Sequence, residues 1–113
     1  MKTKNFTSIA NDELLEWNAP VEKFYYQVRM EDMEPKFRLS DTLILYRCEG
    51  DFVQGRPYVI DTIPYGKLLR FLKRDGDIIK AHSTNEEQFP AVEILPKEIL
   101  GVYDIIALLR LNL

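Results

Sequence analysis

Reactive side chains are scarce in this sequence of 113 residues, which has one cysteine, Cys48, and one histidine, His82. A single cysteine excludes an intramolecular disulfide. In LILYRCEG it reads as filler at a strand end rather than as a nucleophile, because a reactive thiol needs a basic neighbour. A single histidine excludes a histidine metal cluster, and His82, Cys48 and the scattered acids show no ligand spacing. No metal and no cofactor are expected. Serine occurs only as Ser8, Ser40 and Ser83, none in a nucleophile-like turn. A Ser-His-acid triad, which would need His82 as its base, therefore finds no support. The five glycines are scattered singly, which excludes a phosphate-binding loop. No apolar run approaches a membrane span. The N-terminal MKTKNFTSIANDELLEW has lysines but no signal-sequence core, so a cytoplasmic chain without membrane contact is expected. Positive charge is not in excess: the net charge is −3, and broad nucleic-acid binding needs a basic footprint. The densest basic stretch, Arg70-Phe71-Leu72-Lys73-Arg74, would be split between two faces by strand alternation.

With 46% apolar and 29% charged residues, the composition suits one globular domain with one core. Residues 1–23 read as an arm. Asn11 can cap a short helix whose first turn carries Asp12 and Glu13, where the helix dipole favours acids. Leu14, Leu15 and Trp17 give that helix an apolar side, and Pro20 ends it. So short a helix must dock on something. From Phe24 the pattern turns to strands: FYYQVRM, TLILYR, RPYVIDTI, KLLRFLKR and DIIKAHS, separated by turn signals. Pro-Tyr-Gly and Arg-Asp-Gly-Asp predict two successive hairpins. The end, EILGVYDIIALLRLNL, fits a buried strand or a helix by spacing, and Gly101 with its β-branched neighbours favours a strand. The expectation is a mainly β domain over 24–113, a coiled and partly closed sheet, preceded by the short helical arm.

The stretch Val28-Arg29-Met30-Glu31-Asp32-Met33-Glu34-Pro35 packs acids and thioethers into the turn after the first strand. With SDTLILYR, GRPYVIDT, KLLRFLKR, then Ser83-Thr84-Asn85, Phe89-Pro90 and GVYDIIALLR, it resembles the C-terminal domain of the LexA and phage-repressor family, which is related in fold to signal peptidases. Those domains carry, in this order, a V-x-G-D-S-M-E-P turn with a nucleophilic serine and a strand with a catalytic lysine. The ordered set agrees over residues 24–110. Two positions depart: Asp32 stands where the family has its serine, and Arg70 aligns with its lysine. Met30 and Glu31 replace the glycine and aspartate before the serine, while Met33, Glu34 and Pro35 keep the rest of the turn.

Those departures remove the chemistry that the resemblance implies. A serine-lysine dyad needs a hydroxyl and a lysine able to take its proton. A guanidinium holds its proton at any working pH, so an arginine cannot be the base, and an aspartate brings no hydroxyl. Lys67 and Lys73 lie three residues from Arg70, an odd spacing that sends them to the opposite strand face. The resemblance therefore implies a peptidase-like domain without catalysis, in which Asp32 and Arg70 pair as opposite charges across the former cleft. Both being solvated surface charges is the alternative. In that family the domain dimerises. Alternation in GVYDIIALLR puts Tyr103, Ile105, Ala107 and Leu109 on one apolar face and Val102, Asp104, Ile106 and Leu108 on the other. A homodimer contact through Tyr103, Ile105, Ala107 and Leu109 is thus expected, with the arm as the intramolecular cover instead. An arm of 23 residues has no room for a helix-turn-helix and contains no Ala-Gly or Cys-Gly cleavage pair. The expected role is self-association or partner binding in a transcription-regulator or phage-repressor setting. Two alternatives stay open: a peptidase of altered chemistry, and a peptide or small-ligand module using the disused cleft.

Overall fold

The structure, a computed structural model, describes residues 22–111. The expected helix with Leu14, Leu15 and Trp17 lies outside the described residues. Seven strands follow in chain order: β1 Lys23–Gln27, β2 Thr42–Arg47, β3 Pro57–Thr62, β4 Gly66–Asp75, β5 Ile78–His82, β6 Val92–Ile94 and β7 Ile99–Leu109. A 3₁₀ turn, Pro96–Glu98, leads into β7. All pairings are antiparallel, in the order β1-β2-β7-β3-β4-β5-β6. The mainly β expectation holds. The sheet is open, with β1 and β6 at its ends, and is not closed into a barrel.

Both expected hairpins are present. Thr62 pairs with Gly66 across a three-residue loop. The Thr62 hydroxyl ties that loop by donating to Gly66 O (2.9 Å) and accepting from Tyr65 N–H (3.0 Å). Asp75 pairs with Ile78 around Gly76-Asp77, and Gly76 has φ +63°, which a two-residue hairpin turn asks of its first residue. The ambiguous C-terminal segment is a strand, and it runs through the middle of the sheet between β2 and β3. Gly101 on β7 leaves room for the ring of Tyr103, which a Cβ would meet at 3.1 Å.

The core lies on both sides of the sheet. In β3, Tyr58, Val59 and Ile60 are all buried, and successive strand residues point to opposite faces. Val59 packs with Val28, Met33, Phe37, Leu43, Leu45 and Leu69. Tyr58 and Ile60 pack with Leu72, Ile79, Ala81 and Ile94. The sheet therefore carries two apolar clusters. The first is roofed by the chain between β1 and β2, which supplies Met33 and Phe37. Phe52, from the chain between β2 and β3, packs on the second, its ring 6.1 Å from that of Tyr58.

A bulge overturns the strict alternation expected of β7. Ile44 faces Ala107 but Leu45 faces Ile105, so Ile106 is the extra residue. One extra residue flips the side-chain sequence beyond it. Tyr103, Ile105 and Leu108 consequently join the first cluster, whereas Leu109 is 55% exposed. The four residues expected to form one dimer face are thereby divided. Tyr103 and Ile105 pack in the chain's own core, and Ala107 and Leu109 belong to the other face.

Candidate functional site

The turn after β1 is built as a closed excursion. At its neck, Val28 N–H donates to Asp41 O (2.8 Å) and Ser40 N–H donates to Val28 O (3.0 Å). Inside it, Phe37 N–H donates to Met33 O (2.9 Å), and the Glu34–Pro35 peptide bond is cis. The two methionines of RMEDMEP serve different ends: Met33 is fully buried and Met30 is 53% exposed. Glu31 and Pro35 are exposed and Glu34 is half-buried. Asp32, between them, is carried inward.

Asp32 meets Arg70. The Nε–H of Arg70 donates to Asp32 Oδ2 at 3.0 Å, and the two side chains are only 7% and 8% exposed. The expected pairing of these charges is present, in a closed environment rather than at the mouth of a cleft. It runs through a single Nε–H, because Arg70 Nη1 turns away to donate to Ala81 O (3.1 Å) and Pro90 O (3.3 Å). The guanidinium thus bonds three elements at once: the turn after β1, strand β5, and the loop after β5.

That loop closes over the pair. Thr84 N–H donates to the backbone oxygen of Asp32 (3.1 Å), and the Thr84 hydroxyl is placed to donate to the backbone oxygens of Asp32 and Glu34. Ser83, buried, donates to Phe89 O (2.7 Å) and accepts from Asn85 N–H (3.1 Å), which shapes the loop from within. Tyr26 also belongs here. Its phenol is pushed up chiefly by burial, then by the Asp32 carboxylate, with Arg29 opposing. Sequence reasoning missed Tyr26, which reads as an ordinary aromatic of β1.

Lys67, the candidate substitute base, reaches toward Asp61 on β3 at 3.8 Å and is 60% exposed. Lys73 is exposed and sits opposite Lys80. Neither is held at Asp32. His82 bonds Glu86 through Nδ1 at 2.8 Å in an exposed setting. The Cys48 thiol is pushed up first by burial and then by the carboxylates of Asp104, Asp51 and Glu49, so it stays protonated and poorly nucleophilic. Cys48 should therefore react with iodoacetamide at pH 7 far more slowly in the folded protein than in urea. Equal rates would contradict this environment.

A second ion pair was not anticipated. Arg110 grips Asp41 with both arms, Nε to Oδ1 at 2.9 Å and Nη2 to Oδ2 at 2.7 Å. Asp41 also accepts from Arg38 N–H (2.8 Å), so it ties the neck of the excursion to the end of β7. An open groove of about 400 Å³ lies among Lys36, Phe37, Arg56, Pro57, Asp104 and Ile105. Asp32 and Arg70 do not line it. Among the described residues, no three His, Cys, Asp or Glu side chains gather as metal ligands, and no helix is long and apolar enough to cross a membrane. No family model matches the chain, and no curated protein matches it.

Proposed function

We propose that this chain is a non-catalytic, LexA-like domain that works in self-association or partner binding, in a transcription-regulator or phage-repressor setting. The observation that carries this reading is the buried Asp32–Arg70 pair. It occupies the two positions that align with the serine and lysine of the resembling family, and it spends their side chains on holding the turn, β4 and the loop after β5 together. A carboxylate already bonded to a guanidinium offers no hydroxyl to activate, and the guanidinium is no base.

Prolonged incubation at alkaline pH, which drives a serine-lysine dyad by deprotonating the lysine, should leave the intact mass unchanged. A cleaved product that disappears in Asp32→Ala would reject the non-catalytic reading. The single changes Asp32→Ser and Arg70→Lys should stay inert, since each restores only half of a dyad. Sedimentation velocity over a micromolar concentration series addresses association. A concentration-dependent shift toward dimer is expected, and a strict monomer at every concentration would reject self-association.

A further inference from the structure

Strand β7 runs on past the strand beside it. Its ladder with β3 extends from Tyr58 opposite Asp104 to Thr62 opposite Ile99. The next pair would set Pro57 against Ile105, and proline has no N–H to give. The chain before β3 also turns away from β7 to follow β4: Gly55 N–H donates to Leu72 O (2.8 Å), and Leu72 N–H donates to Arg56 O (3.3 Å). The sheet forks here. Over residues 105–109, β7 pairs with β2 on one side, and among the described residues no strand pairs with its other side.

The open groove of about 400 Å³ lies in this fork, lined by Arg56 and Pro57, by Asp104 and Ile105, and by Lys36 and Phe37 of the excursion after β1. Asp104 and Ile105 are neighbours on β7 and point to opposite faces, so the groove passes between strands instead of lying on one face. A strand side without a partner offers a row of N–H and C=O groups to another chain, and such edges are ordinarily guarded by lysine, proline or other charge. Residues 105–109, Ile-Ile-Ala-Leu-Leu, carry none of these, and the bulge at Ile106 is the one interruption. Ile106 is 48% and Leu109 55% exposed.

Charge narrows the choice of occupant. Lys36 and Arg56 are exposed, and among the described residues neither forms an ion pair. The one acid of the groove, Asp104, lies against the Cys48 thiol. Two unpaired cations beside a strand edge, in a chain of net charge −3, favour an anionic occupant. A second copy would bring two more cations, its own Lys36 and Arg56, to the same edge.

We propose that an extended, acidic peptide segment of a partner protein adds to β7 along residues 105–109. Its backbone completes the free side of the strand, and its carboxylates meet Lys36 and Arg56. The inference rests on the partner-binding part of the proposed function and gives it a surface and a partner class; Asp32 and Arg70 take no part.

The test uses the full chain and a labelled pool of six-residue peptides that alternate glutamate with valine, isoleucine, leucine or phenylalanine. In the free protein, the outward amides among residues 105–109 should exchange faster by NMR than those bonded to β2, and the pool should slow them. Binding, read by fluorescence anisotropy, should weaken with salt. Lys36→Glu with Arg56→Glu should lower affinity about tenfold or more and shift the preference to a matching pool with lysine for glutamate, with the circular dichroism unchanged. On the unaltered protein, peptides N-methylated at every second residue should lose binding in one phase and keep it in the other, because only alternate residues face the edge. The inference is overturned by no binding up to millimolar peptide, by equal binding of the two pools, or by equal tolerance of both N-methylated phases. Exchange that is already slow throughout residues 105–109 in the free chain, or that slows as protein concentration rises and so marks a second copy, overturns it as well. A strict monomer that binds the glutamate pool upholds this inference and rejects self-association; an associating chain that binds no peptide does the reverse.

Discussion

Arg70→Met should be among the most damaging single substitutions in this chain. It leaves the Asp32 carboxylate 7% exposed with no cation, and removes the donor that Arg70 gives to the carbonyls of Ala81 and Pro90. Removing one partner of a buried pair costs about 3–5 kcal/mol, a large part of a small domain's total of roughly 5–15 kcal/mol. For a domain of this size that corresponds to a fall in Tm of about 15–30 °C. The penalty comes from the orphaned charge rather than from any large net worth of the pair. Asp32→Leu combined with Arg70→Met should therefore recover much of the loss. A double-mutant cycle reads this directly as a coupling between the sites. A Tm for Arg70→Met within about 4 °C of the parent, roughly 1 kcal/mol, would mean that water reaches the pair and that it does not lock the turn.

The lock also explains why an acidic, thioether-rich turn follows an apolar strand. Met33 anchors the excursion in the first cluster, and the anchoring carries its neighbour Asp32 inward to Arg70. Thr84, on the loop after β5, then fastens the backbone of the same turn. Packing and hydrogen bonding cooperate here, so the turn keeps one conformation although it makes no regular secondary structure.

How much of this was legible in the sequence differs by element. Strands β1 to β5 show apolar runs bounded by Glu-Pro, Glu-Gly-Asp, Pro-Tyr-Gly and Asp-Gly-Asp, and their approximate limits could be read. Strand β6 could not: Val92-Glu93-Ile94 is three residues long and lies between Pro90 and Pro96, too short to show a period. The two-sided core did leave a mark. Tyr58-Val59-Ile60 is a continuous apolar run, the pattern of a strand covered on both faces. The bulge at Ile106 left none, because Ile105-Ile106-Ala107-Leu108-Leu109 has no polar residue to betray a change of face. Nor does chain order reveal that the last strand sits in the middle of the sheet. Asp32 and Arg70 were singled out only through the ordered resemblance; composition and periodicity alone gave no reason to connect residues 38 apart. Asp41 and Arg110, 69 apart, had no such guide.

Acid should weaken the fold partly through that second pair. Arg110, bonding Asp41 with both arms, is the chief cause that holds the Asp41 carboxyl below its usual range. Burial opposes it, and the Arg38 amide and the positive charges of Arg110 and Arg38 reinforce it. The unfolded chain therefore takes up the Asp41 proton at a higher pH than the native protein does. Stability rises with pH wherever the unfolded state binds more protons. The contribution of Asp41 is thus complete above its unfolded value of about 3.9, and it is lost as pH falls through the lower native value. In urea titrations the midpoint should stay level in this respect from neutrality to about pH 5 and decline below about pH 4. Arg110→Gln should lower the midpoint at pH 7 without changing the slope of the transition. It should also remove part of the acid dependence, so that parent and variant curves converge as pH falls. The effect should be smaller than that of Arg70→Met, because the Arg110 side chain is 29% exposed while its partner is buried, and water and salt screen such a pair. Parallel curves, with the gap at pH 7 persisting undiminished at pH 3, would show that Arg110 stabilises the end of β7 by packing and not through the charge of Asp41.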